Sequence, residues 1–146
     1  MADARAEATA VLSLAWPLEV AVALAREQLG RGRALRVLTR GHSMWPSVRD
    51  GAVVTVLPLL GAPRVGDLVL VATPTRLVLH RVIACDARGI VTKGDAAPHD
   101  DGRVPREAIL GRLPARWDDP LRAVVSRFAG RPGATAVGIL RRWLTG

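Results

Sequence analysis

Cysteine, tyrosine, phenylalanine and lysine are nearly missing from this chain of 146 residues, which has one Cys, no Tyr, one Phe and one Lys. A lone Cys85 excludes an internal disulfide framework and any CxxC metal or redox pair. Histidine is also scarce: His42, His80 and His99 stand at no paired ligand spacing, so neither a zinc site nor any other metal or cofactor is expected. With aromatics at 3%, the core has to be built from Val, Leu, Ile and Ala, and a hydrophobic content of 49% is enough for a chain that folds on its own. Acidic side chains are outnumbered, 13 against 21 basic, for a formal charge of +8. Almost all of that charge is arginine, spread from Arg5 to Arg142 with no run longer than Arg141-Arg142. The densest stretch, Arg31, Arg33, Arg36 and Arg40, has no aromatic between its members to stack on a base, so a basic surface is expected and nucleic-acid binding is not.

A long uninterrupted apolar run is missing too. Residues 8–25 come nearest, but Pro17 breaks the run, Glu19 sits inside it and much of it is alanine. A span needs about 20 apolar residues, and an acidic group in mid-helix costs about 3 kcal/mol to insert. The start carries Asp3 and Glu7 where a secretory leader would be basic. The expected location is cytoplasmic or peripherally membrane-associated, and a transmembrane helix over 8–25 is not favoured.

What is present falls into three zones. Residues 1–34 hold a helical segment and a linker: Leu18, Val22, Ala25 and Leu29 recur at helical spacing opposite Glu19 and Arg26. Pro17 suits the helix start and Gly30 its stop, before the basic stretch from Gly30 to Arg33. Residues 35–117 form a β zone, with short Val/Leu/Ile segments at 35–39, 52–57, 67–72, 77–84, 89–92 and 109–115. Gly, Pro and Asp separate them, as in Arg49-Asp50-Gly51 and Val65-Gly66-Asp67. Many short strands so punctuated predict a mainly β fold, a curled antiparallel sheet or partial barrel. Residues 118–146 open on the helix-start signature Asp118-Asp119-Pro120 and predict a short helical C-terminal tail.

Three pieces of the β zone carry the chemistry. In Gly41-His42-Ser43-Met44-Trp45-Pro46-Ser47, a serine lies between a flexible glycine and a rigid proline, which exposes its hydroxyl and leaves its backbone N–H to face an oxyanion. Leu79-His80-Arg81-Val82 puts a histidine inside a strand, and Thr92-Lys93-Gly94-Asp95 is followed by His99-Asp100-Asp101. A serine hydroxyl is a poor nucleophile until an oriented base takes its proton. Ser43, His80 and a later aspartate (Asp95, Asp100 or Asp101) supply those groups in type. Strand alternation places Val78, His80 and Val82 on one face and Leu77, Leu79 and Arg81 on the other. His80 is then either a structural histidine of an apolar sheet or a neutral base in a cleft wall, and periodicity does not separate the two. Met44 and Trp45 read as apolar flooring beside the nucleophile, and Lys93 as an exposed residue before a turn.

The Gly41–Ser47 block, Arg64-Val65-Gly66-Asp67-Leu68-Val69, His80-Arg81-Val82, Thr92-Lys93-Gly94-Asp95, Asp101 and Ile109-Leu110-Gly111-Arg112 together resemble the type I signal peptidases and the related LexA-like peptidases. The resemblance covers about residues 35–113 and is closest to the Ser-His branch found in the endoplasmic reticulum and archaea, since His80 stands where the bacterial branch has its lysine. It implies the fold of that superfamily, a peptide or protein substrate cleaved without metal or cofactor, Ser43 as nucleophile and His80 as general base. It further implies Asp101 as the essential acid, Asp95 as a residue that shapes the site, and Gly41, Ser43 and Met44 around the oxyanion and substrate. One departure is Gly41, where many signal peptidases carry a serine whose hydroxyl aids the oxyanion hole; loss of one such donor costs about 10²–10³ in rate. The alternative is therefore a weak or inactive peptide-binding module of the same fold. A self-cleaving repressor fits poorly, because residues 1–34 are too few for a DNA-binding domain and its linker.

Overall fold

The computed structural model describes residues 11–114. The predicted tail at 118–146 lies outside the described residues. Eight strands, one α-helix and one 3-10 turn make up the described chain: β1 (Val11–Ser13), α1 (Leu18–Gly30), β2 (Leu35–Leu38), β3 (Val53–Val56), β4 (Leu68–Ala72), β5 (Leu77–Asp86), β6 (Gly89–Lys93), β7 (Arg103–Val104), the turn Arg106–Ala108 and β8 (Ile109–Arg112). The fold is mainly β. A three-stranded sheet has the order β1-β2-β3 and a five-stranded antiparallel sheet the order β7-β6-β5-β4-β8. The sheets meet at a single antiparallel bridge, Leu57 to Arg112, and do not close into a barrel.

The six predicted strand segments all appear, as β2 to β6 and β8. In β2 and β3 the alternation is one-sided, with Leu35, Val37, Val54 and Val56 buried and Arg36 and Thr55 exposed. From Leu68 to Val71 in β4 and from Leu77 to Val82 in β5 every residue is buried, because the central strands are covered on both faces. Leu68, Leu70, Leu77 and Leu79 join one core cluster with α1, β2 and β3. Val69, Val71, Val78 and Val82 face a second cluster with Ile90, Val104 and Ile109. Each such Val or Leu contributes about 1.5–3 kcal/mol on leaving water.

The N-terminal zone differs most from expectation. Residues 11–13 are a strand, and it pairs parallel with β2, so the small sheet is not purely antiparallel. Parallel neighbours need a crossover, and α1 supplies it. Ala21, Ala25 and Leu29 of α1 are buried in the same cluster as Val37 and Val54, so the helix is part of the β core and not a separate decoration. The described part of the apolar run, residues 11–25, is thereby divided between β1, a turn and α1, and no helix among the described residues is long and apolar enough to cross a membrane. Gly30 is the last helical residue, and the stop is Gly32: its φ of 75° lets its N–H reach Leu29 O while Arg33 N–H reaches Gln28 O.

Candidate active site

The loop that carries Ser43, residues 40–51, hangs between β2 and β3 and is tied off at its base. Thr39 Oγ1 donates to the carbonyls of Arg49 (2.9 Å) and Ala52 (3.0 Å), and Gly51 N–H donates to Thr39 O. Gly41, at φ 87°, makes the bend that a side chain would resist, and Asp50 Oδ1 accepts its N–H at 2.8 Å. Val48 N–H closes a turn onto Met44 O, and Met44 is buried in the first core cluster. Between these anchors lies Ser43.

Ser43 is held from the other side by the segment after β6. Ala96 N–H donates to Ser43 O at 2.8 Å, and Asp95 N–H points at Met44 Sδ. Gly94 lies against Ser43 so closely that a Cβ there would sit 2.6 Å from Ser43 O and 2.9 Å from Ser43 Cβ. A methyl group at this position has no room, so Gly94→Ala should displace the serine backbone. Displacements of about 1 Å at a reacting group cost on the order of 10² in rate. Steady-state kinetics of Gly94→Ala should show that loss mainly in kcat; unchanged kcat would mean that the contact does not set the serine's position.

The strand β5 brings its histidine to this serine. His80 is 2% exposed, on the Val78/Val82 face predicted for it, and its Nε2 lies 3.0 Å from Ser43 Oγ. Its Nδ1 lies 2.5 Å from Asp101 Oδ2. Asp101 is fixed by β6, since Thr92 Oγ1 donates to the same carboxylate oxygen at 2.7 Å and Asp101 N–H donates to Thr92 O. Burial works to raise the Asp101 pKa, but the hydrogen bond and charge of His80, the Thr92 bond and the field of Arg76 outweigh it and hold the carboxyl below 3.8. Asp101 is therefore a carboxylate, which only accepts, so Nδ1 carries the proton. Nε2 is left as the acceptor for the Ser43 hydroxyl. This is the direction of proton flow that general-base activation needs.

Of the three candidate acids, then, Asp101 meets His80. Asp100 is exposed and caps a local turn through Gly102 N–H. Asp95 touches neither Ser43 nor His80: it is buried and grips Arg81, with Arg81 Nε on Oδ1 and Nη2 on Oδ2, both at 2.8 Å. Ser47 Oγ donates to Asp95 Oδ2 at 2.7 Å, so this ion pair also pins the far end of the nucleophile loop. Lys93 was expected to be exposed and is not, at 8%. Its Nζ donates to Gly94 O, and burial lowers its pKa below 10.5 against the opposing pull of Asp95, Asp100 and Asp101. Spacing gave no role to Thr92, Ser47 or Arg81. The signal for Arg81 was there: a charge inside an otherwise apolar strand demands a buried partner.

A cleft of about 160 Å³ opens beside Ser43. Its floor is apolar, from Leu14, Met44, Val48, Leu77 and Leu79, while Gly41, Arg40 and Arg76 stand around it. That volume is below the ~300 Å³ at which small-molecule and cofactor sites begin, and suits one or two small side chains. No acceptor among the described residues takes the N–H of Ser43, whereas the Gly41 N–H is committed to Asp50. Gly41 therefore lines the cleft without offering an oxyanion donor. No family model matches the chain, and no curated protein or solved structure matches it either.

Proposed function

We propose that the chain is a serine endopeptidase similar to the Ser-His signal peptidases, within the signal peptidase/LexA-like fold. One observation carries this reading: Ser43 Oγ, His80 Nε2 and Nδ1, and Asp101 Oδ2 form a continuous hydrogen-bonded chain, at 3.0 and 2.5 Å, beside an apolar cleft. Random Ser, His and Asp residues seldom align in this order with the nucleophile at the open end.

The steps follow from the contacts. Ser43 Oγ attacks a peptide carbonyl as His80 Nε2 takes its proton, and the Asp101 carboxylate stabilises the imidazolium that forms. The Ser43 N–H is the backbone donor available for the oxyanion. His80 passes the proton to the leaving amine, and water then hydrolyses the acyl-Ser43 with His80 again as base. The substrate has a place to lie: β6 begins to pair with β5 only at Arg81, so along residues 77–80 that edge of β5 meets no strand among the described residues. An extended peptide can add there as a strand and drop a small side chain into the cleft. No cofactor, metal or nucleic acid takes part, and contact with a membrane surface would be peripheral. The second reading is a catalytically weak or inactive module that holds peptides in the same cleft; it is favoured by Gly41, which supplies neither a hydroxyl nor a free N–H. A fluorophosphonate probe separates the two. Covalent labelling of Ser43, lost in His80→Ala, supports the peptidase; peptide binding with no labelling supports the module.

The one lysine tests the choice of base. Lys93→Met should retain most of the cleavage activity, because the Lys93 amine is spent on Gly94 O while His80 holds Ser43. Its effect on stability depends on pH in a defined direction. The folded pKa lies below 10.5, so between the two values the unfolded chain binds more protons and stability rises with pH. Urea midpoints should show the wild type gaining on Lys93→Met as pH climbs toward 10.5. A dead Lys93→Met beside an active His80→Ala would reassign the base to lysine.

A further inference from the structure

Two arginines flank the cleft without having spent their charge. Arg40 and Arg76 both line it, Arg40 on the loop between β2 and β3 and Arg76 at the β4–β5 hairpin. Both are exposed, and neither guanidinium has an ion-pair partner among the described residues. Their backbones, by contrast, are fixed. Arg76 N–H donates to Thr73 Oγ1 at 3.1 Å, and Arg76 O accepts from both Thr73 N–H (2.9 Å) and Thr73 Oγ1 (2.8 Å). Arg40 sits between the clamped Thr39 and a Gly41 whose N–H is held by Asp50. Asp50, the carboxylate nearest along the loop, is committed to that bond. Two exposed cations carried on fixed backbone thus line a small cleft together with Leu14, Met44, Val48, Leu77 and Leu79.

Resting on the peptidase reading above, we propose that Arg40 and Arg76 are specificity-determining residues that select peptides with an acidic side chain close to the scissile bond. Charge complementarity sets the class. The apolar floor takes a small uncharged side chain, and a carboxylate one to four residues away meets the guanidiniums. The reach is that of an extended strand: at about 3.3 Å per residue, the four steps from His80 back through the start of β5 to Arg76 in the hairpin span at most some 13 Å. The field of Arg76 is already felt at Asp101, whose carboxyl it helps to keep ionised. A peptide bearing Lys or Arg at the same place would meet like charge and be rejected.

The test uses paired synthetic peptides that differ only in Glu or Lys at each of the four positions on either side of a common small-residue cleavage site. The full-length protein should cleave the Glu member of at least one pair roughly five- to thirtyfold faster in kcat/KM, and high salt should shrink the ratio, as expected for exposed pairs. Arg40→Glu with Arg76→Glu should bring the ratio to one or invert it, while Arg33→Glu, outside the cleft, should leave it unchanged. Equal cleavage of every pair, or a ratio indifferent to the double reversal, overturns the inference and leaves the peptidase standing. If no peptide is cleaved, the peptidase reading falls, and binding of the same labelled pairs to Ser43→Ala decides the specificity question by itself: a Glu preference that the reversal abolishes upholds it, and equal binding refutes it. Binding of anionic lipid vesicles lost in the double reversal, with no preference among peptides, would assign the arginines to a surface contact and also overturn it.

Discussion

Replacing Ser43 or His80 by alanine should lower peptide cleavage by on the order of 10⁴–10⁶, and the double variant should be no slower than the worse single. The two side chains act as one unit through a single 3.0 Å hydrogen bond, so removing either removes the function of both. Ser43→Ala should leave thermal stability nearly unaltered, since it deletes one part-buried hydroxyl. Asp101→Asn should cost about 10³–10⁴ for a different reason: the amide no longer demands a proton on Nδ1, and the imidazole can then present N–H to the serine it should deprotonate. That variant also carries a pH signature. The Asp101 carboxyl is held below 3.8, so it adds stability above that value and loses it as pH falls through the folded pKa. The stability gap between wild type and Asp101→Asn, measured by urea midpoints, should therefore close on acidification below about pH 4. Additive losses in the Ser43→Ala, His80→Ala pair would break the triad reading.

The parts of this molecule that the sequence disclosed are those governed by short-range pattern. β-Branched runs between Gly, Pro and Asp turns located β2 to β6 and β8, because period-two alternation is local. Alternation also placed His80 and Arg81 on opposite faces of β5, where His80 bonds Ser43 and Asp101 and Arg81 pairs with Asp95. Pairing at a distance was not legible. β1 has three residues, too few for a period, and its parallel partner lies across the whole of α1, so the strand segment ahead of Pro17 read only as part of an apolar run. Lys93 was misplaced for a related reason. A lysine before Gly94-Asp95 looks like a turn residue until the fold brings Asp95, Asp100 and Asp101 around it, and these three aspartates favour its charged form against its burial. Asp101 over Asp100 was assigned by resemblance; the contact that distinguishes them, Thr92 Oγ1, comes from a residue that spacing gave no role.

The largest effect on stability is expected at the Arg81–Asp95 pair. Arg81 is 0% exposed and Asp95 3%, and their desolvation is compensated by bonds that include the two-point fork between them, Arg81 Nη1 on Gly66 O at 2.8 Å, and Ser47 Oγ. Removing one member strands the other in the sheet, so Asp95→Ala should cost about 3–5 kcal/mol, or roughly 10 °C in Tm at 2–4 °C per kcal/mol. Removing both should cost less than removing one, because Arg81→Met with Asp95→Leu leaves neither charge of the pair buried without the other and fills similar volume. Activity should not return with stability. Asp95 is what holds Ser47, and Arg81 Nη2 reaches the same hydroxyl at 3.3 Å, so the double variant frees the end of the loop that carries Ser43. The expected result is a double variant stable enough to assay yet at least tenfold down in kcat, with KM little changed, since the loss lies in aiming the nucleophile and not in the cleft. A double variant that recovers both Tm and kcat would mean that the pair supports the fold alone and that the loop keeps its own shape through Thr39, Asp50 and Ala96.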